Sequence, residues 1–229
     1  MTFGVSGMLY RNGLIMYDHQ TESLWSHIVG QSIGGEYQGT HLAFIPTLHT
    51  DWQSWRERHP DTLVISPALF GPDSYTSYYA SSSEGVIGRG TFGGGPERGD
   101  DIYSKEYVIG VRLGGEVRAY PFSVLNREPV VNDEVGGVPV AVFFDKATAS
   151  GMVFDRRLDD GTILNFEAGL DDPTAVRDTE TQSEWDRLTG RAIRGDLEGT
   201  KLIPAPITYA FWFGWIDHHT NSTVYGRDR

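Results

Sequence analysis

One stretch of this chain is written twice. Asp18-x-x-Thr21-x-Ser23-x-Trp25 returns 160 residues later as Asp178-x-x-Thr181-x-Ser183-x-Trp185. The register continues without a gap through Gly30 and Gly190, Ile33 and Ile193, Gly35 and Gly195, Gly39 and Gly199, and Leu42 and Leu202. It then pairs Trp52 with Trp212, Trp55 with Trp215, His59 with His219 and Val64 with Val224. The chain has only six Trp in 229 residues, so three Trp pairs in one register mark a duplication. Self-similarity limits the architecture before composition does. Two long copies do not make a solenoid; they predict two related subdomains about an approximate twofold.

The copies are unequally complete. Glu106 to Thr162 has no counterpart before Asp18, so the first copy lacks its front portion. This divides the chain into a truncated first repeat (1–66), a Gly/Ser/Tyr-rich linker or loop (67–104) and a complete second repeat (105–229). A repeat without its front strands exposes sheet edges, where another chain can add a strand. Self-association through that edge of the first repeat is the expected partner interaction.

Local patterns fill in the elements. Tyr107–Arg112 and Glu116–Tyr120 alternate around Gly114-Gly115, a two-residue hairpin turn. Val130-Val131 and Val138–Phe144 flank a turn cluster holding Asn132-Asp133 and Gly136-Gly137. Met152–Leu158 and Thr162–Phe166 flank Asp159-Asp160-Gly161. The repeated motif reads as a helix start. Thr21 and Thr181 are N-caps, Thr181 and Glu184 a capping box, and Gly30 and Gly190 the stops. A second short helix carries Trp52 and Trp55 on one face and ends at Pro60. Each copy closes with a strand, Thr62–Ile65 or Thr223–Tyr225. The fold class is mainly β, α+β: two related subdomains of antiparallel hairpins and curved sheet with short Trp-bearing helices, in pseudo-twofold arrangement.

Composition narrows the chemistry. Cysteine is absent, which removes disulfides, thiolate nucleophiles and Cys-ligated metal sites. The formal charge is −12, the wrong sign for a nucleic-acid partner. Lysine is confined to Lys105, Lys146 and Lys201 among many acids, a balance that also suits a halophile. No apolar run is long enough for a membrane-spanning helix and no signal peptide is visible, so a cytoplasmic location is the default.

The string FGVSGMLYRNGLIMYDHQTESLWSHIVGQSIGGEYQGTHL, with TDWQSWRERHPDTLVIS after it, resembles the family catalogued as domain of unknown function 3179. VIGVRLGGEVRAYPFSVL, VVNDEVGGVPVAVFFD and FWFGWIDHH resemble that family's second repeat. The resemblance implies a two-repeat protein of bacteria and haloarchaea with no activity to carry over. Complete members have a further front half-repeat with a Tyr-Cys-Pro-Leu-Cys-Gly segment. Its second-repeat counterpart falls near Phe144–Ser150, which has no thiols, so nothing here matches that segment.

Four groups are candidate sites. Asp18, Thr21 and Ser23, with Asp178, Thr181 and Ser183, put a carboxylate and two hydroxyls where a polar ligand could bind, or where they cap a turn. His59 and His219, joined by His218, are candidate general bases, or residues favoured at a helix end by its dipole. No His pair has metal-ligand spacing, so no metal site is expected, and no cofactor can be named. The six Trp could line a pocket, but their framework positions make them core. Arg118, Tyr120, Asn132 and Asp133 either stabilise hairpin turns or face a cleft. Gly93-Gly94-Gly95-Pro96 lacks the Lys-Ser of a phosphate loop, and Gly4-Val5-Ser6-Gly7 is not a nucleophile elbow. The leading reading is a non-catalytic binding or interaction module. The alternative is an enzyme acting on a small polar substrate between the repeats, using Asp18 or Asp178 with His59 or His219.

Overall fold

The computed structural model describes residues 1–66, 75–80, 102–168 and 172–227. The chain is mainly β. Its described strands form four four-stranded sheets. The first is a meander of β1 (Phe3–Tyr10), β2 (Gly13–Asp18), β3 (Leu24–Ser26) and β4 (Gln31–Gly34), in that order. Arg11 and Asn12 make the β1–β2 turn, both with positive φ, 49° and 60°. Two short helices follow, α1 (Trp52–Arg58) and α2 (Thr76–Ala80).

The second repeat begins with a hairpin, β5 (Tyr107–Leu113) and β6 (Glu116–Pro121), and one helical turn, α3 (Phe122–Leu125). Next come β7 (Val130–Val135), β8 (Val138–Asp145) and β9 (Ser150–Asp155). The sequence VPVAVFFD makes β8 a core strand. It pairs with β7 and β9 and is buried on both faces, as its nearly continuous apolar run requires. A second meander then repeats the first: β10 (Phe166–Glu167), β11 (Ala175–Asp178), β12 (Glu184–Asp186) and β13 (Ala192–Arg194). The chain ends with β14 (Ile203–Pro204), β15 (Ile207–Phe211), α4 (Trp212–His218) and β16 (Thr223–Val224). β14 extends the β9–β8–β7 sheet, while β15 and β16 flank the β5–β6 hairpin, β16 running parallel to β6.

The chain folds into two compact units that interleave the repeats. One contains Met1–Phe44, Leu63–Tyr107 and Ala210–Asn221; the other contains Ile45–Thr62, Val108–Tyr209 and Ser222–Arg229. The first meander therefore shares a unit with α4 of the second repeat, and α1 of the first repeat belongs to the unit of the second meander. The equivalent helices are exchanged.

Three expectations are corrected. No helix follows Thr21 or Thr181; both motifs lead into the short strands β3 and β12. Glu22 and Gln182 take positive φ (55° and 60°), which turns the chain back and excludes a helical turn there. Gly30 and Gly190, at φ +62° and +64°, turn the chain after these strands instead of stopping a helix. Thr62–Ile65 forms no strand, although Thr223–Val224 does by pairing with β6. The helix across Trp52 and Trp55 is present. Yet Trp52 and Trp55 are 49% and 37% exposed, whereas Trp25, Trp185, Trp212 and Trp215 are buried. Residues 67–74 and 81–101, with the Gly93–Pro96 run, lie outside the described residues. Of the three tyrosines nearby, Tyr78 places its ring 3.8 Å from the buried Lys105 ammonium, while Tyr75 and Tyr79 are exposed.

The two hairpin tips pack against each other through glycine. A Cβ on Gly114 (φ +54°) would lie 1.9 Å from the Gly136 carbonyl oxygen, but one on Gly115 (φ +85°) would meet nothing. Gly115→Ala should cost about 1–2 kcal/mol through conformation alone. Gly114→Ala must also displace the neighbouring hairpin and should cost about 2–5 kcal/mol. Denaturant unfolding of the two variants measures the difference.

Candidate functional site

The duplicated motif closes around a buried carboxylate. Asp178 ends β11, and the chain reverses through Thr181 and Gln182 into β12. Its carboxylate accepts from the Thr181 N–H at 2.5 Å, the Thr181 hydroxyl at 3.0 Å and the Ser183 N–H at 3.1 Å. The indole of Trp185, two residues into the return, donates to it at 2.9 Å. Asp18 is held the same way, by the Thr21 N–H at 2.7 Å, the Thr21 hydroxyl at 3.0 Å, the Gln20 N–H at 3.1 Å and the Trp25 indole at 2.9 Å. Both carboxylates are fully buried.

The hydroxyls form an oriented chain. Each Thr gives its proton to the carboxylate, so Ser23 donates to Thr21 and Ser183 donates to Thr181, both at 2.7 Å. Each Ser oxygen then accepts a main-chain N–H, from Tyr37 or Leu197, at 3.1 Å. The Ser hydroxyl presses against a glycine. A Cβ on Gly35 or Gly195 would fall 2.7 Å from Ser23 or Ser183, and both glycines have strongly positive φ. Burial alone would raise the Asp18 pKa. The bonds from Trp25, Thr21 and Gln20 outweigh it, so Asp18 ionises below the usual carboxylate range.

His59 and His219 have matching roles. Each caps its helix, donating its N–H to the Trp55 carbonyl at 2.8 Å or the Trp215 carbonyl at 2.9 Å. Each ring lies 4.2 Å from that Trp ring. Among the described residues, no three His, Asp or Glu side chains converge as a metal site.

Arg118, Tyr120 and Asp133 are brought together across β6 and β7. Arg118 grips both oxygens of Asp133 at 2.7 and 2.6 Å, and the Tyr120 hydroxyl donates to one of them at 2.9 Å. The Glu134 N–H takes the other at 2.8 Å. Burial beside this carboxylate pushes the Tyr120 phenol far up. Asn132 and Asp133 lie on strand β7, correcting their reading as turn residues, because Gly136 and Gly137 make the turn. Asn132 is not part of the cluster. Its side-chain amide brackets Phe166 instead, donating to the carbonyl and accepting from the N–H, both at 2.8 Å.

One polar pair escaped the sequence reading. Ser26 and the His218 ring are 3.4 Å apart, and His218 Nδ1 donates to the Gly214 carbonyl at 2.9 Å. The equivalent positions in the other unit hold Asp186 and Arg58, an ion pair at 4.0 Å. The 160-residue register aligns both members, but only the exchanged helices bring them into contact. Ser26 is buried, and His218 fits because Gly13 has no side chain: a Cβ there would come within 2.9 Å of the ring.

Duplicated meanders, each closed on a carboxylate and an indole, define a two-repeat, mainly β protein. The chain belongs to the family described as "Protein of unknown function (DUF3179)", whose model matches residues 1–91 and 86–229, consistent with a repeat. No curated protein and no solved structure matches the chain.

Trp185→Phe keeps an aromatic side chain but deletes the donor to a buried carboxylate and leaves part of the indole's volume empty. It should lower stability by about 1–3 kcal/mol in denaturant unfolding. Two pH ranges should also separate. Burial holds His218 below the ordinary histidine value; Arg11 and His27 act in the same direction, opposed by the Gly214 carbonyl and Asp217. The Tyr10 ring and Ser26 complete its surroundings. A depressed folded pKa means that the unfolded chain binds the proton first, so stability falls as pH drops below about 6.5. Asp18 contributes a second loss, below about 4, for the same reason of sign. Thermal melts across pH should show both steps, and His218→Gln should remove the upper one.

Proposed function

We propose that the chain is a non-catalytic interaction module whose first repeat binds polypeptide by strand addition at β1. The observation that carries this is β1 itself. It is the outer strand of its sheet, and FGVSGMLY contains no charge and no proline to discourage pairing. Val5 is 69% exposed, with Met8 and Leu9 exposed beside it in sequence. A register shift between Val5 and Leu9 bends the strand, which leaves Phe3–Val5 as its regular portion.

The candidate catalytic groups favour the same reading. Asp18 and Asp178 accept several hydrogen bonds each, and a general base would first have to break them. Asp133 has both oxygens engaged by Arg118, Tyr120 and Glu134. A second copy of the chain is the partner present in any pure preparation. Sedimentation velocity over a range of concentrations should show self-association. Val5→Lys should reduce it at least severalfold with an unchanged melting temperature. A chain that stays monomeric at high concentration removes self-association, and substrate turnover lost in Asp178→Asn with folding intact would favour an enzyme.

A further inference from the structure

Phe3 and Phe166 are equivalent residues in the two meanders. Each stands opposite the buried carboxylate, Phe3 to Asp18 and Phe166 to Asp178. Each ring meets its Trp edge-on, at 5.7 Å and 87° in the first repeat and at 5.7 Å and 88° in the second. The neighbouring ladder bond is also the same: His19 N–H to the Thr2 carbonyl at 2.9 Å, and Thr179 N–H to the Asn165 carbonyl at 2.8 Å. That bond makes each Phe–Asp pair the non-hydrogen-bonded kind, so the Phe N–H and C=O point away from the meander.

Their surroundings differ. In the second repeat, Asn132 on β7 satisfies both Phe166 main-chain groups, and Phe143 on β8 packs edge-on against the ring at 4.9 Å. Phe166 is 4% exposed. Among the described residues no strand of the first repeat's sheet lies beyond β1, and Phe3 is 36% exposed. The start of the equivalent helix is also satisfied differently in the two repeats. α4 gives its first N–H groups, on Trp212 and Phe213, to the carbonyls of Glu106 and Ser104, whereas α1 is capped by its own Asp51, which accepts from the Ser54 N–H at 2.7 Å.

The geometry points to a docking slot at Phe3 for an antiparallel β-hairpin carrying a side-chain carboxamide on one strand and an aromatic ring on the other. This rests on the reading that the β1 edge takes up polypeptide, and it names the chemistry of that partner. A carboxamide holds a donor and an acceptor in one plane and so matches the N–H and C=O of a single residue; a carboxylate has no donor. The ring covers the exposed face of Phe3, as Phe143 covers Phe166.

The probe is a cyclised peptide of residues 129–145, the β7–β8 hairpin, added to the full chain. Cyclisation is needed because an isolated hairpin is marginal in water. Amide exchange read by NMR should show slowed exchange at Phe3, and Asn132→Leu in the peptide should weaken binding at least tenfold. Equal binding by the Asn132→Leu peptide overturns the carboxamide slot and leaves strand addition standing. Failure of the peptide to bind, while Val5→Lys still disperses a self-associated species, also overturns the slot and makes a second copy the occupant. Neither peptide binding nor self-association overturns both readings.

Discussion

The fold depends on a carboxylate buried next to an indole N–H. Burying a carboxylate is costly unless it is hydrogen-bonded, and here the bonds come from within eight residues of chain. Asp178 gathers the Thr181 and Ser183 N–H groups, the Thr181 hydroxyl and the Trp185 indole. Forming those bonds fixes the reversal from β11 to β12 and the rotamer of the Trp that packs beneath it. The hydroxyl relay then extends the order to Leu197, so a local turn sets the path of a distant loop. Because the network is complete within one meander, it could be duplicated as a unit.

What surrounds the turn could diverge. The exchanged helices bring position 218 to position 26 in one unit and position 58 to position 186 in the other. The first contact is His to Ser, the second Arg to Asp. A neutral pair suits the buried site made by Gly13, where Ser26 offers no charge to a partner. The ion pair is partly exposed and adds little stability by itself. Similar backbones thus carry a proton-sensitive contact in one unit and an ion pair in the other.

Some of this was legible in the residues. Gly114-Gly115 and Gly136-Gly137 between β-branched runs gave two hairpins, because adjacent positive-φ residues suit that turn. The motif after Asp18 misled for a physical reason. A helix N-cap and an Asx-type turn use the same side-chain oxygen to accept the same nearby N–H groups. What separates them is the positive φ of Glu22 and Gln182, which neither Glu nor Gln advertises. The Trp burial was half legible. Trp52 and Trp55 have the spacing of Trp212 and Trp215, but spacing reports a shared face and not what covers it. The Ser26–His218 contact was illegible because it joins residues 192 apart through a helix exchange that no local pattern encodes.

At two places the equivalent positions of the repeats are met differently. At the helix, the first repeat places Asp51 where the second has Phe211, and the helix caps itself. α4 gives the N–H groups of Trp212 and Phe213 to Glu106 and Ser104, whereas Asp51 accepts from Ser54, so the two helix starts are satisfied by different devices. The second place is β1. Phe3 keeps the ring, its edge-on contact with Trp25 and its place opposite Asp18, all of which serve the meander, while its main-chain groups keep their outward direction. A residue selected only to end a sheet would favour a charge or proline there, since either would block pairing. A phenylalanine between Thr2 and Gly4 blocks nothing, and it leaves the edge chemically the same as the one that Asn132 closes.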